Sequence, residues 1–496
     1  MNRPLLKLLR RKKKMYNRAK ETKNWSHYKN FQKHCQRETR RAEWKFINNT
    51  IQTGLENNNP KPFWNLIKSR KCDNMGVSPL RQNGKLHIEP EEKAKILLNQ
   101  FKSVFTQGDD SYITPPTNQT VPNCQPIIIN TAGVAKLLRN IQTHKASGPD
   151  NVPNTVLKTC ADTIAPILSL IYQRSIDTGI LPSDWLSANV SSAFKKGDRH
   201  LAENYRPISL TSVSCKILEH IICKHMMNHF EKYKVLTPLN HGFRSGFSCE
   251  TQLLTTANDF LKSFDNNKQV DVAILDFSKA FDKVPHKKLL YKLSNYGINN
   301  STLSWLECFL TKRSMQVVVD GCASESTSVI SGVPWGTVLG PILFLVHIND
   351  LPAAVSSQVR LFADDCLLYR EINTFKDHLS LQKDLQALEQ WAVTWGMKFN
   401  ASKCHILSIK EKSSYFYKLD NVILKHVPNN PYLGVLFSAD LKFSDHISNI
   451  TKKANSTIGF LRRNLKYCPL KCLSFRSQIC LGVWMHRLGP LPTKRH

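Results

Sequence analysis

The sequence predicts a mixed fold, α+β or α/β, and three observations lead to that prediction. Val272–Leu275 is a short apolar run with β-branched members, as in a buried strand. Residues 358–370 contain two more short apolar runs around a turn, which is the pattern of a β-hairpin. Ala161–Asp177 and Glu250–Asn266 have helical periodicity and lie upstream of these strands. Helices and strands mixed along one chain are typical of a sheet covered by helices.

The size and charge of the chain restrict the function it can serve. Its 496 residues suggest roughly two to four domains, and an apolar fraction of 41% is enough for a sizeable core. A formal net charge of +31 would be costly in an enzyme of small neutral substrates, because like charges repel. Nucleic acid is therefore the favoured partner, and an acidic membrane surface is the alternative. We expect no membrane partner, since no apolar run approaches the ~18 residues of a spanning helix.

Residues 1–71 are expected to form a basic helical arm. They hold twenty Lys or Arg against four Glu, a net charge of +16. Trp25, Tyr28 and Phe31 are spaced by three, which places them on one face of a helix. Either this stripe packs on the protein while the charges are solvated, or the arm contacts phosphates and stacks on bases. Lys12–Lys14 could serve in nuclear import, so we expect an intracellular protein of the nucleus, the cytoplasm or both.

A connecting region is predicted for residues 72–130. Asn83 and Gly84 signal a turn, and Glu89–Phe105 has the pattern of an amphipathic helix. Asp109–Pro126 is rich in Thr, Pro and Asn and is expected to be an exposed linker.

The cysteines indicate reduced thiols in an intracellular protein. There are fourteen of them and no C-x-x-C pair. Cys468, Cys472, Cys480 and His486 form a loose cluster, but their spacing fits no standard zinc module. Ordinary helix cysteines are therefore favoured over a zinc site.

A carboxylate at the end of a strand is the first candidate for chemistry. Asp276 follows Val272–Leu275 and precedes a predicted helix over Ser278–Val284. A carboxylate at the C-terminal end of a buried strand points into the crevice where α/β folds bind ligands. Asp is also a favoured helix N-cap, and this motif alone leaves both interpretations open.

A pair of carboxylates at the predicted hairpin tip favours the first interpretation. Asp364 and Asp365 are flanked by apolar residues such as Leu361 and Leu367. Adjacent like charges beside apolar strands repel and are poorly solvated, and a divalent cation would neutralise them. Together with Asp276 they suit two-metal phosphoryl transfer, with ions about 4 Å apart.

The motifs LDFSKAFD (275–282) and FADD (362–365) resemble the two metal motifs of reverse transcriptases. Their surroundings resemble the non-LTR retrotransposon family, of the chicken-repeat and jockey kind, over roughly residues 130–465. Further blocks follow in the family's order: KASGPDNVP (145–153), FKKGD (194–198), NYRPISLTSVSCKILE (204–219), HGFRSGFSCETQL (241–253), SGVPWGTVLGPILFLVHINDLP (331–352), KFNASKC (398–404) and YLGV (432–435).

This resemblance implies an RNA-directed DNA polymerase with a right-hand fold of fingers, palm and thumb, the palm being an antiparallel sheet with helices. It implies an RNA template, a DNA primer and deoxynucleoside triphosphates as partners. The expected parts are an N-terminal extension over 131–177, a reverse transcriptase domain of fingers and palm over 178–438, and a partial thumb and tail over 439–496.

The resemblance also assigns roles in the active centre. It implies that Asp276, Asp364 and the main chain at Phe277 bind two Mg²⁺ or Mn²⁺ ions. Asp365 would lie beside them, near the primer end. Phe281 matches the bulky residue under the sugar, where a 2′-hydroxyl would clash.

The basic residues of the motifs are assigned to the nucleotide. The resemblance implies that Lys195 or Lys196, and Arg206, contact the triphosphate; a guanidinium suits this task because its donors form a fixed fork. Lys403 would donate a proton to pyrophosphate.

The loop before residue 337 departs from the family pattern. Gly332 and Gly336 are expected to flank a tight approach to template and nucleotide, where a Cβ would intrude. Trp335 stands where the family usually has Gln, and His347 where it usually has Tyr. The indole has a single donor, and it either crowds the nucleotide pocket or packs away and stabilises the loop. We favour the first.

Two other functions compete with synthesis. A reverse-transcriptase-like protein that only holds RNA or single strands is favoured by Trp335 and by residues 470–496, which resemble a thumb only faintly. A metal-dependent nuclease would leave the fingers motifs unexplained. The intact aspartates favour the polymerase, and we expect a truncated or decayed copy because nothing in residues 1–130 resembles the family's endonuclease.

Overall fold

The computed structural model describes residues 3–56, 76–106 and 121–464. They fall into two compact units, one formed by residues 76–443 and the other by residues before 76 and after 443. The cysteine–histidine cluster after residue 467 and most of the predicted linker lie outside the described residues. Within the described ranges, no helix combines the length and the apolar character that a membrane span requires.

The described chain is a mixture of helices and strands, as predicted. The helices are α1 Arg3–Thr22, α2 Ser26–Glu56, α3 Pro90–Lys102, α4 Thr131–Arg139, α5 Asn154–Thr159, α6 Ala161–Thr178, α7 Ser183–Leu186, α8 Val213–Lys232, α9 Cys249–Asp265, α10 Ala280–Lys283, α11 His286–Asn295, α12 Asn300–Thr311, α13 Leu339–Ile348, α14 Phe375–Trp395 and α15 Ser444–Asn464. The strands are β1 Leu80–Gln82, β2 Lys85–His87, β3 Ser187–Phe194, β4 Tyr205–Leu210, β5 Gln269–Asp276, β6 Ser314–Val319, β7 Cys322–Ala323, β8 Thr327–Ser328, β9 Gln358–Phe362, β10 Asp365–Ile372, β11 His405–Ile409, β12 Lys418–Leu419, β13 Val422–Ile423, β14 Lys425–His426, β15 Asn429–Tyr432 and β16 Val435–Ser438.

A five-stranded sheet holds the predicted strand and the predicted hairpin. Its order is β14-β11-β5-β10-β9, and β5 is antiparallel to both of its neighbours. The central position of β5 explains why Val272–Leu275 reads as a continuous apolar run, since a strand covered on both faces has no solvent side. A single core joins this sheet to α8, α11, α13 and α14, with Leu218, Leu289, Phe344 and Leu385 fully buried.

A second sheet and a second, smaller core lie in the same unit. The order is β4-β3-β6-β7, with β8 also beside β6, and β3 and β6 run parallel. The core contains Leu97 and Phe101 from α3 together with Val190 and Val317 from the sheet. The predicted amphipathic helix is therefore confirmed as α3.

Local signals predicted several elements closely. The helices expected over Ala161–Asp177 and Glu250–Asn266 are α6 and α9. Asn83 and Gly84 both have positive φ and form the two-residue turn between β1 and β2.

The predicted start of the helix over Ser278–Val284 is wrong, because α10 begins only at Ala280. Phe277 forms a β-bridge with Phe399, and the Ser278 amide donates to the Lys398 carbonyl at 2.8 Å. This pairing keeps the chain extended past the end of β5, so the first helical turn is displaced.

The described arm is a helical hairpin of α1 and α2, as the basic region predicted. Leu5 and Ala19 of α1 are buried, and Cys35 of α2 is buried with them. The ring of Tyr16 in α1 lies 5.4 Å from that of Tyr28. The aromatic stripe of α2 therefore packs at least in part on α1.

Candidate active site

The three predicted carboxylates come together at one end of the five-stranded sheet. Asp276 ends β5 and Asp365 begins β10, and the two are directly opposite in the antiparallel register. Asp364 occupies the turn of the hairpin, next to Ala363. The alternative role of Asp276 as a helix N-cap is not realised, because α10 begins after Lys279 and no side chain caps it.

Crowding of these carboxylates makes their ionisation costly. Desolvation, together with repulsion from the neighbouring Asp364 and Asp276, raises the pKa of Asp365 to about 6. Desolvation also raises the pKa of Asp364, with repulsion from Asp276 in the same direction. Arg206 and Lys195 oppose the shift at Asp364. The cluster therefore attracts cations from its surroundings.

The oxygen atoms at this end of the sheet suit a hard divalent cation. The ring of Phe277 stacks on Phe399 at 4.4 Å, and its carbonyl accepts no hydrogen bond from a described residue. The Asp276 carbonyl, by contrast, accepts a hydrogen bond from the Asn400 amide at 2.7 Å. Mg²⁺ sites commonly use one or two carboxylates plus substrate oxygens, so Asp276, Asp364 and the free Phe277 carbonyl form a fitting donor set.

The described residues contain no preassembled cage for a metal. No group of three or more His, Cys, Asp or Glu within residues 3–56, 76–106 and 121–464 is arranged to hold an ion. Lys403 instead reaches one of the carboxylates, with its Nζ 3.6 Å from Oδ2 of Asp276.

Basic side chains approach the carboxylates from the second sheet. Lys195 follows β3, and its pKa is lowered by desolvation and then by the charges of Arg206 and Lys403. The negative charge of Asp276 acts in the opposite direction and raises the pKa of Lys195. Lys196 interacts with Lys195 and is not among the groups that shift the pKa of Asp364 or Asp365. Of the two lysines predicted, Lys195 is the one whose charge affects the pKa of Asp364 and Asp365.

Trp335 lies between the residues that the sequence assigns to the nucleotide. Its ring centroid is 4.3 Å from that of Phe281, and the guanidinium carbon of Arg206 is 5.4 Å above the indole. Its Nε1 donates to Oδ1 of Asp282 at 3.2 Å, and its carbonyl accepts from the Ser209 amide at 2.8 Å. The indole thus contacts two residues assigned to the nucleotide and also ties the loop to Asp282, and that it crowds the nucleotide stays a prediction.

Comparison with known proteins agrees with this geometry. The family model described as reverse transcriptase (RNA-dependent DNA polymerase) matches residues 194–437. The chain is 27% identical over 390 residues to the RNA-directed DNA polymerase from mobile element jockey of Drosophila melanogaster, covering 74% of this chain and 42% of that protein. It is 26% identical over 460 residues to the probable RNA-directed DNA polymerase from transposon BS of the same organism, covering 86% and 49%.

A more distant relative is the retrovirus-related Pol polyprotein from type-1 retrotransposable element R2 of Popillia japonica, 24% identical over 300 residues, with 55% of this chain and 41% of that protein covered. Residues 194–437 belong to the reverse transcriptase family, of the non-LTR retrotransposon type. The family predicted from the motifs is confirmed. This reverse transcriptase chain spans about half, or less, of the length of the curated relatives it matches.

The two loop glycines of the reverse transcriptase approach protein backbone closely. Both have positive φ, near +90°. A Cβ on Gly332 would lie 2.7 Å from the Asp282 carbonyl, and one on Gly336 would lie 2.7 Å from the Ser209 carbonyl. Backbone packing therefore accounts for both glycines, while their approach to template and nucleotide stays a prediction.

Two residues of the reverse transcriptase that the motifs did not single out support the hairpin tip. Ala363 has φ +54°, a left-handed conformation that is costly for a residue with a Cβ. Oδ1 of Asn240 accepts hydrogen bonds from the Ala363 amide at 3.2 Å and from the Gly242 amide at 3.0 Å. The HGFRSGF block contains Gly242, but sequence alone gives no sign that it touches the FADD turn.

Proposed function

We propose that this chain is an RNA-directed DNA polymerase, which adds deoxynucleotides to a primer 3′-hydroxyl on an RNA template. The observation that carries the proposal is the pairing of Asp276 with Asp365 across β5 and β10, with Asp364 at the turn. Lys195 and Arg206 supply positive charge on the side of the second sheet. The names of the relatives, polymerases of the mobile elements jockey and BS, point to the same reaction.

The residues of the site would have different roles in phosphoryl transfer. Asp276, Asp364 and the Phe277 carbonyl would hold two Mg²⁺ or Mn²⁺ ions, which lower the pKa of the primer hydroxyl and offset charge on the phosphates. Asp365 lies beside them and strengthens the local negative field. Arg206 and Lys195 bind and orient the triphosphate oxygens.

The remaining residues would shape the nucleotide pocket. Phe281 is stacked on Phe344 at 4.4 Å and lies 4.3 Å from the tilted ring of Trp335, so its ring has little room to move. A ring fixed in this way would exclude a 2′-hydroxyl and favour deoxynucleotides. Lys403 pairs with Asp276 before substrate binds, and it would turn to the pyrophosphate once an ion takes that carboxylate.

The right-hand architecture follows from the same proposal. The five-stranded sheet with its helices would be the palm, and the second sheet the fingers, within a reverse transcriptase domain of residues 178–438. Residues 131–177 would be an N-terminal extension and residues 439–496 part of a thumb. The basic arm of residues 1–71 and the connecting region of residues 72–130 would precede them.

Primer extension on an RNA template tests the proposal directly. With Mg²⁺ or Mn²⁺ and all four deoxynucleotides, the intact chain is expected to extend an annealed DNA primer. Asp276→Asn, Asp364→Asn and Asp365→Asn should each abolish extension and leave RNA binding nearly unchanged, because affinity comes from dispersed Lys and Arg. Asp184→Asn, at an exposed carboxyl in α7, is the matched control. Extension retained in Asp364→Asn would contradict the proposal, and RNA binding without extension in the intact chain would favour a binding protein.

A further inference from the structure

A Ser, a His and an Asp side chain lie in contact with one another at the other end of β5 from the carboxylate cluster, with the Tyr417 hydroxyl hydrogen-bonded to both the His and the Asp. Asp271 of β5 and His378 of α14 are each 1% exposed. Nδ1 of His378 is 3.2 Å from Oδ2 of Asp271, and its Nε2 is 3.0 Å from Oγ of Ser413. Ser413 lies in the loop after β11 and is exposed.

Surrounding groups fix the proton on the imidazole. The Tyr417 hydroxyl donates to Oδ2 of Asp271 at 2.7 Å and lies 2.8 Å from Nδ1 of His378. The Gln269 amide donates to Oδ1 of the same carboxylate at 2.9 Å. With acceptor oxygens facing Nδ1, the neutral ring carries its proton there, and Nε2 remains as the base toward the serine hydroxyl.

The main chain at the serine is also positioned. The Ser413 amide donates to Oε1 of Gln269 at 2.9 Å, and the Ser413 carbonyl accepts from the Gln269 side chain at 2.8 Å. The next amide, that of Ser414, donates no hydrogen bond to any described residue. In serine hydrolases the amide after the nucleophile commonly stabilises the oxyanion, and here that donor is free.

Aromatic rings border the imidazole on the exposed side. Tyr415 stacks on His378 at 5.4 Å, and Phe375, which is 65% exposed, lies 6.3 Å from the same ring. An apolar acyl group would find contact area on these rings.

We propose that Ser413 is an activated nucleophile, with His378 as its general base and Asp271 orienting that base, and that it accepts acyl groups from esters with an apolar acyl part. Oγ of Ser413 attacks the ester carbonyl and its proton passes to Nε2 of His378. The bond from the carbonyl carbon to the leaving oxygen then breaks, and that oxygen takes the proton from His378. The base lies within hydrogen-bond distance of the serine, as an activated serine requires, and Asp271 acts on the base through their close contact and through the shared Tyr417 hydroxyl. The proposal is independent of the proposed polymerase reaction.

A fluorophosphonate probe tests the proposal on the full chain, since the serine oxygen displaces fluoride from phosphorus. The expected result is an adduct on Ser413, identified by peptide mass spectrometry. It should be absent in Ser413→Ala and retained in Ser414→Ala, which removes the neighbouring exposed hydroxyl. Asp271→Asn should slow labelling by about 100-fold, provided that its thermal unfolding shows a folded protein.

A further control needs no variant and measures the labelling of Ser413 in the parent chain after unfolding in urea. Unfolding separates the three residues, so the adduct should disappear although the serine becomes fully accessible. The absence of an adduct on Ser413 in the folded chain would overturn the proposal. Equal labelling of Ser413 and Ser414, or labelling that persists in urea, would do the same, because each would show ordinary serine reactivity.

Discussion

Phe281 contacts two aromatic rings, and one of them belongs to a residue that departs from the family pattern. Phe344 is stacked on Phe281, and the Trp335 ring lies against it at a tilt. The same indole carries the guanidinium of Arg206 above it, an arrangement that occupies a side chain expected to reach the triphosphate. At the scale of single residues, Trp335 therefore contacts two of the residues that the proposed function assigns to the nucleotide.

Trp335→Gln is expected to raise the efficiency of nucleotide incorporation and to lower stability. The smaller amide frees Arg206 and the space beside Phe281, and it restores both a donor and an acceptor. A hydrogen bond of ~1–3 kcal/mol corresponds to about five- to 150-fold in kcat/KM. The lost contacts with Phe281 and Asp282 should reduce the free energy of unfolding by about 1–2 kcal/mol.

Steady-state incorporation and urea unfolding measure the two effects separately. Trp335→Phe is the matched variant, because it keeps a ring against Phe281 but loses the hydrogen bond to Asp282. It should lose part of the stability with little change in efficiency. Equal efficiencies for Trp335→Gln and the parent chain would show that the indole does not obstruct the nucleotide.

Asp282 should make the stability of the protein depend on pH. Desolvation raises its pKa to about 6, against smaller opposing effects of Lys279 and of the Trp335 hydrogen bond. A carboxyl that holds its proton more tightly when folded destabilises the fold as it ionises. The free energy of unfolding should therefore fall as pH rises from about 4 to about 6, by up to roughly 3 kcal/mol, and then level off.

Asp282→Asn removes this ionisation and keeps an oxygen that can accept from Trp335. Urea unfolding at several pH values should show the variant gaining stability relative to the parent chain as pH rises through that window. Asp184→Asn, at an exposed carboxyl, serves as the control. Parallel curves for Asp282→Asn and the parent chain would exclude a titrating Asp282.

Local sequence signals predicted the elements well, and long-range contacts account for what they missed. The run at Val272–Leu275 and the turn at residues 363–364 are encoded within a few neighbouring residues, so β5 and the β9–β10 hairpin were predictable. The start of α10 was not, since it depends on Phe399, more than a hundred residues away. The support of the hairpin tip by Asn240 is equally non-local.

Gly242→Ala is expected to impair catalysis through the hairpin. A Cβ on Gly242 would lie 2.5 Å from the Ala363 amide nitrogen, so the turn that carries Asp364 must move. A displacement of about 1 Å in a catalytic group can cost on the order of 100-fold in rate. Primer extension should fall by this order, whereas nucleic-acid affinity should stay within about twofold, because the basic residues that supply it are dispersed.

Gly133→Ala is the matched control for the hairpin prediction. Gly133 lies in α4, and the nearest atom to an added Cβ is at 3.8 Å, so the change should be tolerated. If Gly242→Ala extends primers at the parent rate, the FADD turn is not held from this side.

For the whole molecule, the positive charge is concentrated in the N-terminal region of the chain. About half of the net charge of +31 lies in residues 1–71, which carry +16, while residues 76–443 form a compact unit of their own. Composition predicted this asymmetry and the aromatic spacing predicted a helix, but neither predicted two helices or the packing of Tyr28 on Tyr16 of α1. Aromatic rings that pack in this way are less available to bases, so we expect the arm to bind nucleic acid through phosphate contacts.

Deleting residues 1–71 should weaken nucleic-acid binding and reduce its dependence on salt. Each phosphate contact that is lost lowers the slope of log affinity against log salt by roughly 0.7–0.9, because fewer counterions are released on binding. Fluorescence anisotropy with a labelled RNA over a series of salt concentrations measures the slope.

A second variant changes five arm residues to Gln. A matched control changes five exposed lysines of the other unit to Gln and so removes the same charge. The arm residues are Arg10, Arg11, Lys12, Lys13 and Lys14, and the control residues are Lys136, Lys376, Lys383, Lys418 and Lys425. The arm variant should lose more slope than the control, and equal slopes would mean that the arm is a solvated surface without phosphate contacts.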